Sequence, residues 1–209
     1  GLTHIGQFDV LHLYFGQTLF RVGWRLPFIG KLELKLWKKF GKTIFMTYQG
    51  CDVRQRFLTV DNEFSACSKD CCTVPWCNDS ADMKRRVSAA YLSDYLDKTF
   101  CLNPDLLDYV PKSEFLPYCN VDFEQPSLSL KLPNKRLIVV HSPTDRNIKG
   151  TAHVLKASKE ANCSYPHELM LIEGVTRDEA LTKYAEADIA IDQILVGWYG
   201  GFAVECMAI

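Results

Sequence analysis

No apolar run in this 209-residue chain approaches the roughly 18 to 20 residues needed to span a bilayer, and its first residues lack the charged-then-apolar order of a secretory signal. Excess charge of either sign is missing too. The formal net charge is −1 with 23% charged residues, so no global field would gather nucleic acid or an anionic surface. Internal repeats, low-complexity tracts and heptad runs are also missing, which argues against solenoids, disordered tails and coiled coils. A cytoplasmic location is the default expectation, with peripheral contact at the cytoplasmic face of a membrane left open. What remains is 47% hydrophobic and 12% aromatic residues, enough for one large packed core or two smaller ones.

Cysteine, by contrast, is plentiful. Nine cysteines would suit a disulfide scaffold in a small secreted chain; at this length, reduced thiols or a metal site are expected instead. Both ends read as cut, because Phe8 to Phe15 is already a buried-strand pattern and Glu205-Cys206-Met207-Ala208-Ile209 opens a helix without finishing it.

Strand-length apolar runs alternate with helix-period stretches, the pattern of a parallel sheet covered by helices, so the class is α/β. In the first half the strands are expected at 8–15, 43–48, 99–102 and 115–116. One helix should end at Lys38-Lys39-Phe40-Gly41, with cations in its last turn and glycine at the stop. Another should run over 80–97 from a cap at Asp79 or Ser80, with Met83, Val87, Ala90 and Tyr91 inward and Arg85 elsewhere. The stretch from Pro117 to Pro133 has no periodicity and reads as an interdomain connection. Strands at 136–141, 168–172 and 188–191 follow, with helices near 150–160 and 177–187, the second opened by a capping box at Thr176 and Glu179.

Chemistry concentrates in the second half. After the strand ending at His141 comes a polar loop carrying Arg146 and Lys149, placed where a helix start offers free backbone donors. The two cations suit a diphosphate, or they are ordinary solvated loop charges. Gly200 and Gly201 open a helix with Glu205 one turn inside, a combination that suits a ribose, or else a plain turn and an exposed glutamate. His141 points into the cleft or is a satisfied strand-end histidine. In the first half, Gly50 permits close approach to a loop in which Asp52 and Arg54 orient substrate groups, unless Asp52 is only a helix cap. Cys67, Cys71, Cys72 and Cys77, spaced C-x3-C-C-x4-C, lie in an insertion over about 61–79 and hold a structural zinc, remain free thiols, or staple the insertion by a disulfide.

The ordered set of Lys149-Gly150-Thr151, Ala187-Asp188-Ile189, the aromatic-glycine stretch Gly197 to Gly201, and Glu205 followed by Met207-Ala208 resembles the carboxyl-terminal domain of retaining GT-B glycosyltransferases of family four. Leu116 to Asp122 is similar to that family's hinge, Phe100 to Leu107 to the strand and short helix before it, and Gln49-Gly50-Cys51-Asp52 to its His-Gly-x-Asp loop. The resemblance implies two Rossmann-like domains, an acceptor-side domain over 1–122 and a donor-side domain over 134–209, joined by a linker over 123–133 and both incomplete at the chain ends.

It further implies transfer of a sugar from a nucleoside diphosphate donor to a carbohydrate or lipid-linked acceptor, with retention, no nucleic acid involved and no cofactor required for catalysis. Lys149, helped by Arg146, would stabilise the diphosphate, and Glu205 would bind the ribose. The family's first glutamate, eight residues before the second, is replaced by Gly197, so Asp192 or Gln193 would have to serve instead. Two alternatives share the fold: a sugar-nucleotide epimerase, and a catalytically inactive sugar-nucleotide-binding relative.

Overall fold

In the computed structural model, which describes residues 6–21, 25–56, 65–67, 77–121 and 136–209, two parallel sheets have helices between their strands, so the chain is α/β. The elements fall into two units, one reaching Pro117 and the other beginning at Tyr118. The linker expected over 123–133, and Cys71 and Cys72, lie outside the described residues.

In the first unit β1 (Val10–Tyr14), β2 (Thr43–Tyr48), β3 (Lys98–Cys101) and β4 (Glu114–Phe115) pair side by side in chain order, all parallel. Alternation sets the faces of β1: Leu11 and Leu13 are buried while Val10, His12 and Tyr14 are exposed. Helix α1 (Pro27–Lys39) starts with proline in its first turn and buries Gly30, Leu34 and Trp37, three and four positions apart. It stops as expected. Gly41 takes a left-handed φ of +71°, Lys42 N donates to Trp37 O at 3.1 Å and Gly41 N to Lys38 O at 2.9 Å, the Schellman pair of bonds.

Helix α2 (Asp79–Ser93) corrects three expectations. Its cap is Asn78, whose side chain accepts from Ala81 N at 3.0 Å, and it ends four residues before Asp97. Its inward face is Ala81, Asp82, Arg85, Ser88 and Leu92, whereas Met83 and Tyr91 are exposed. Arg85, only 1% exposed, pairs with Asp82 at 2.7 Å, and the second Asp82 oxygen accepts from Arg56 N at 2.8 Å. A buried charge that is paired and hydrogen-bonded is tolerated, and periodicity alone counts it as surface. Both α1 and α2 contribute to the core against Leu11, Leu13, Ile44 and Met46. On the opposite face the His12 ring packs with Phe45 and Phe100, each at a 6.0 Å centroid separation.

The second unit places β5 (Leu137–His141) between β6 (His167–Leu171) and β7 (Ile189–Ala190), again all parallel. The expected helix near 150 is two pieces, α3 (Arg146–Lys149) and α4 (Thr151–Ala161), broken at Gly150 with φ +73°. Helix α5 (Arg177–Tyr184) opens with the reciprocal capping box of Thr176 and Glu179, and α6 (Gly201–Ala208) comes last. Val140, Ile172, Ala180, Tyr184 and Phe202 form this unit's core. Among the described residues no helix is long and apolar enough to cross a membrane.

Candidate functional site

The β5–α3 loop is stiffened from inside. Asp145 caps α3, its carboxylate accepting from Asn147 N and Ile148 N, both at 2.9 Å. The backbone donors expected to be open at this helix start are therefore occupied by the chain's own carboxylate. His141, 1% exposed, uses both ring nitrogens internally. Its Nδ1 donates to Ile191 O at 2.7 Å, since a carbonyl only accepts, and Nε2 shares a 2.9 Å bond with the Thr151 hydroxyl. That is the strand-end reading of His141. Arg146 turns to Glu173, with Nε to Oε1 at 2.9 Å and Nη2 to Oε2 at 2.5 Å. The pair is bidentate, and the Arg146 hydrogen bond holds the Glu173 carboxyl below the usual glutamate range.

Lys149 takes the other direction. Its ammonium donates to Gln193 Oε1 at 2.5 Å and lies 3.5 Å from Asp192 Oδ1. Gln193 in turn donates to Trp198 O, while Asp192 Oδ2 accepts from Gly200 N at 2.5 Å. The structure therefore joins Lys149, Asp192 and Gly200, three of the residues singled out from sequence, although Asp192 follows Lys149 by 43 positions. The glycine pair lets two side chains come close. A Cβ on Gly200 would stand 2.9 Å from Lys149 Nζ, and one on Gly201 would stand 2.9 Å from Asn120 Nδ2.

Asn120 links the glycines to Glu205, donating to Oε1 at 3.4 Å, and Arg177 Nε donates to the same oxygen at 2.9 Å. Arg177 also reaches Asn120 O at 3.3 Å. Lys149 thus packs against Gly200, and the Asn120 amide that packs against Gly201 also bonds Glu205. Burial pushes the Cys206 thiol up to about 12, and the Glu205 and Asp192 carboxylates add to that. Tyr184 is also raised, first by burial and then by charges that include the same two carboxylates. Glu205 and Asp192 therefore act on the same two neighbours. Arg177 was not singled out from the sequence, and no local signal marks it, because it meets Glu205 across 28 positions.

In the first unit the β2 loop is held by the residues expected to face substrate. Asp52 accepts from Gln49 N at 3.1 Å and Gly50 N at 2.7 Å, closing the turn behind it, so it is a turn lock and not a helix cap. Burial pushes its carboxyl up to about 6, against the opposing pull of those backbone bonds and of Arg54. Arg54, 8% exposed, pairs with Asp105 at 2.8 Å. Burial opposes its charge, but the Asp105 bond and charge outweigh that and raise its pKa. Gly50, at φ +149°, lies where a Cβ would be 3.3 Å from Arg54 Nη1. Gly50, Asp52 and Arg54 do come together, with Asp52 and Arg54 engaged by the loop's own partners. Beside them is a cavity of about 270 Å³ lined by Tyr48, Gln55, Arg86, Tyr109, Lys112 and Ser113, which no sequence pattern announced.

Cys67 is buried and Cys77 half-buried. Among the described residues no group of three or more histidine, cysteine, aspartate or glutamate side chains is arranged to hold a metal ion. Neither the models of known protein families nor the sequences of curated proteins match this chain.

Proposed function

We propose that the chain binds a nucleoside diphosphate sugar in its second unit and belongs to a glycosyltransferase that passes the sugar to an acceptor hydroxyl with retention, the two units being the acceptor-side and donor-side domains of a GT-B arrangement. One observation carries the reading: the Lys149 ammonium rests against Gly200, at the start of α6, where the lack of a Cβ leaves room for it. A cation, a helix start and a glycine are what a diphosphate needs, because backbone donors and the positive end of the helix dipole then add to the ammonium charge. Glu205, with Arg177 and Asn120 fixing one of its oxygens, is the ribose acceptor. In the transfer step, the departing diphosphate gathers negative charge, and a preorganised cation aimed at it is worth roughly 3 kcal/mol in the transition state.

A second reading, a relative that binds the sugar nucleotide without turning it over, draws support from Gly197, which stands where a carboxylate is expected and has nothing within 4 Å of its Cβ position. Turnover of labelled donors separates the two. Binding itself is tested by melting the chain with a series of nucleoside diphosphate sugars: the transition should rise with ligand concentration, and Lys149→Ala and Glu205→Ala should each remove most of the rise. Equal rises in all three proteins would end the site assignment.

A further inference from the structure

We infer that Asp192 is an internal competitor for the phosphate position, and so a specificity-determining residue of the site just proposed; the inference rests on that reading. The Asp192 carboxylate already makes the contacts that a phosphate oxygen would seek. Oδ2 takes the Gly200 N–H at 2.5 Å, and Oδ1 stands 3.5 Å from the Lys149 ammonium. Both side chains are largely withdrawn from water, at 15% exposure for Lys149 and 14% for Asp192, so solvent screens the pair only in part. Gln193 holds the ammonium from another side at 2.5 Å.

A ligand reaching Lys149 and Gly200 must therefore replace one anion with another. A neutral nucleoside or free sugar has no negative charge to give the ammonium in exchange and leaves Asp192 seated. A diphosphate brings more charge than the carboxylate it displaces and more oxygens to share between ammonium and backbone N–H. Asp192 thereby selects ligands by phosphate charge.

Calorimetric titration with inorganic pyrophosphate, using the full chain and its Asp192→Asn, Asp192→Ala and Lys149→Ala variants, tests this. The carboxamide keeps an acceptor for Gly200 N and removes the charge, so Asp192→Asn should bind pyrophosphate at least tenfold more tightly than the parent. Asp192→Ala should also bind more tightly, and the gain should vanish when Lys149→Ala is added to Asp192→Asn. Circular dichroism confirms that each variant is folded. Equal or weaker binding by both folded Asp192 variants, with Lys149→Ala still abolishing the parent's binding, overturns the competitor and leaves the proposed function standing. Absence of pyrophosphate binding in every variant overturns both.

Discussion

Single atoms decide much of the site. Gly200 has an extended backbone, with φ −103° and ψ 178°, so alanine fits there without strain; the clash is with Lys149 Nζ, 2.9 Å from the added Cβ. The end of a flexible side chain can swing away cheaply. Gly200→Ala should therefore leave the melting temperature within about 2 °C of the parent, since a side-chain adjustment of this kind costs well under 1 kcal/mol. It should lower nucleoside diphosphate affinity about tenfold, the equivalent of one displaced charge-assisted bond. Gly197→Ala, with open space around it, should change neither, and loss of binding by both variants would detach the effect from Lys149. Asp52 gives a pH signature. Its folded value of about 6 stands above the ordinary 3.8, so between those values the folded chain binds a proton more tightly than the unfolded one. The stability it contributes is fully present below about pH 4 and is lost as the pH rises through 6, by on the order of 3 kcal/mol. Urea unfolding of the parent minus that of Asp52→Asn should show this slope, and a flat difference would refute the shift.

Elements were legible where local chemistry decides them. The run TIFMTY became β2 over the expected residues because a strand-length run of β-branched, aromatic and apolar residues is closed by the Gly50 turn, and Thr176 with Glu179 formed the capping box that their spacing announced. Thr176→Ala should cost about 1 kcal/mol in denaturant unfolding. Gly150→Ala should cost more, about 2 kcal/mol, because the left-handed φ is unfavourable for alanine and its Cβ meets Leu195 Cγ at 3.1 Å. Gly174→Ala, at φ +65° but with nothing near, should show the backbone part alone; equal costs at 150 and 174 would mean that the Leu195 contact relaxes away. The inward face of α2 was not legible. Asp82 and Arg85 are three apart, an ordinary surface pairing, and their burial depends on Asp82 also serving Arg56 N, 26 positions back. The site proposed in the second unit was legible only as residue types in order. That Gln193 and Asp192 would engage Lys149, and that Glu173 would draw Arg146 aside, are long-range outcomes that periodicity does not encode.

At the scale of the molecule, each unit owns a core: Leu34, Ile44, Met46 and Leu92 are among the buried residues of one, Val140, Ile172, Tyr184 and Phe202 of the other. Units with separate cores respond separately to core damage. Ile44→Ala should destabilise the first unit by roughly 2 to 5 kcal/mol while leaving pyrophosphate affinity within twofold of the parent. A larger change in affinity would show that the proposed phosphate site depends on the first core. The segment from Asp192 to Gly200 is tied at its two ends by Oδ2 to Gly200 N and internally by Gln193 to the Trp198 carbonyl. A guest that takes Gly200 N from Asp192 opens the first of these ties and leaves the second, so the loop stays partly ordered and has less entropy to lose than a free one. Occupancy then asks chiefly for rotamer changes at Lys149 and Asp192, on a loop whose inner tie is kept.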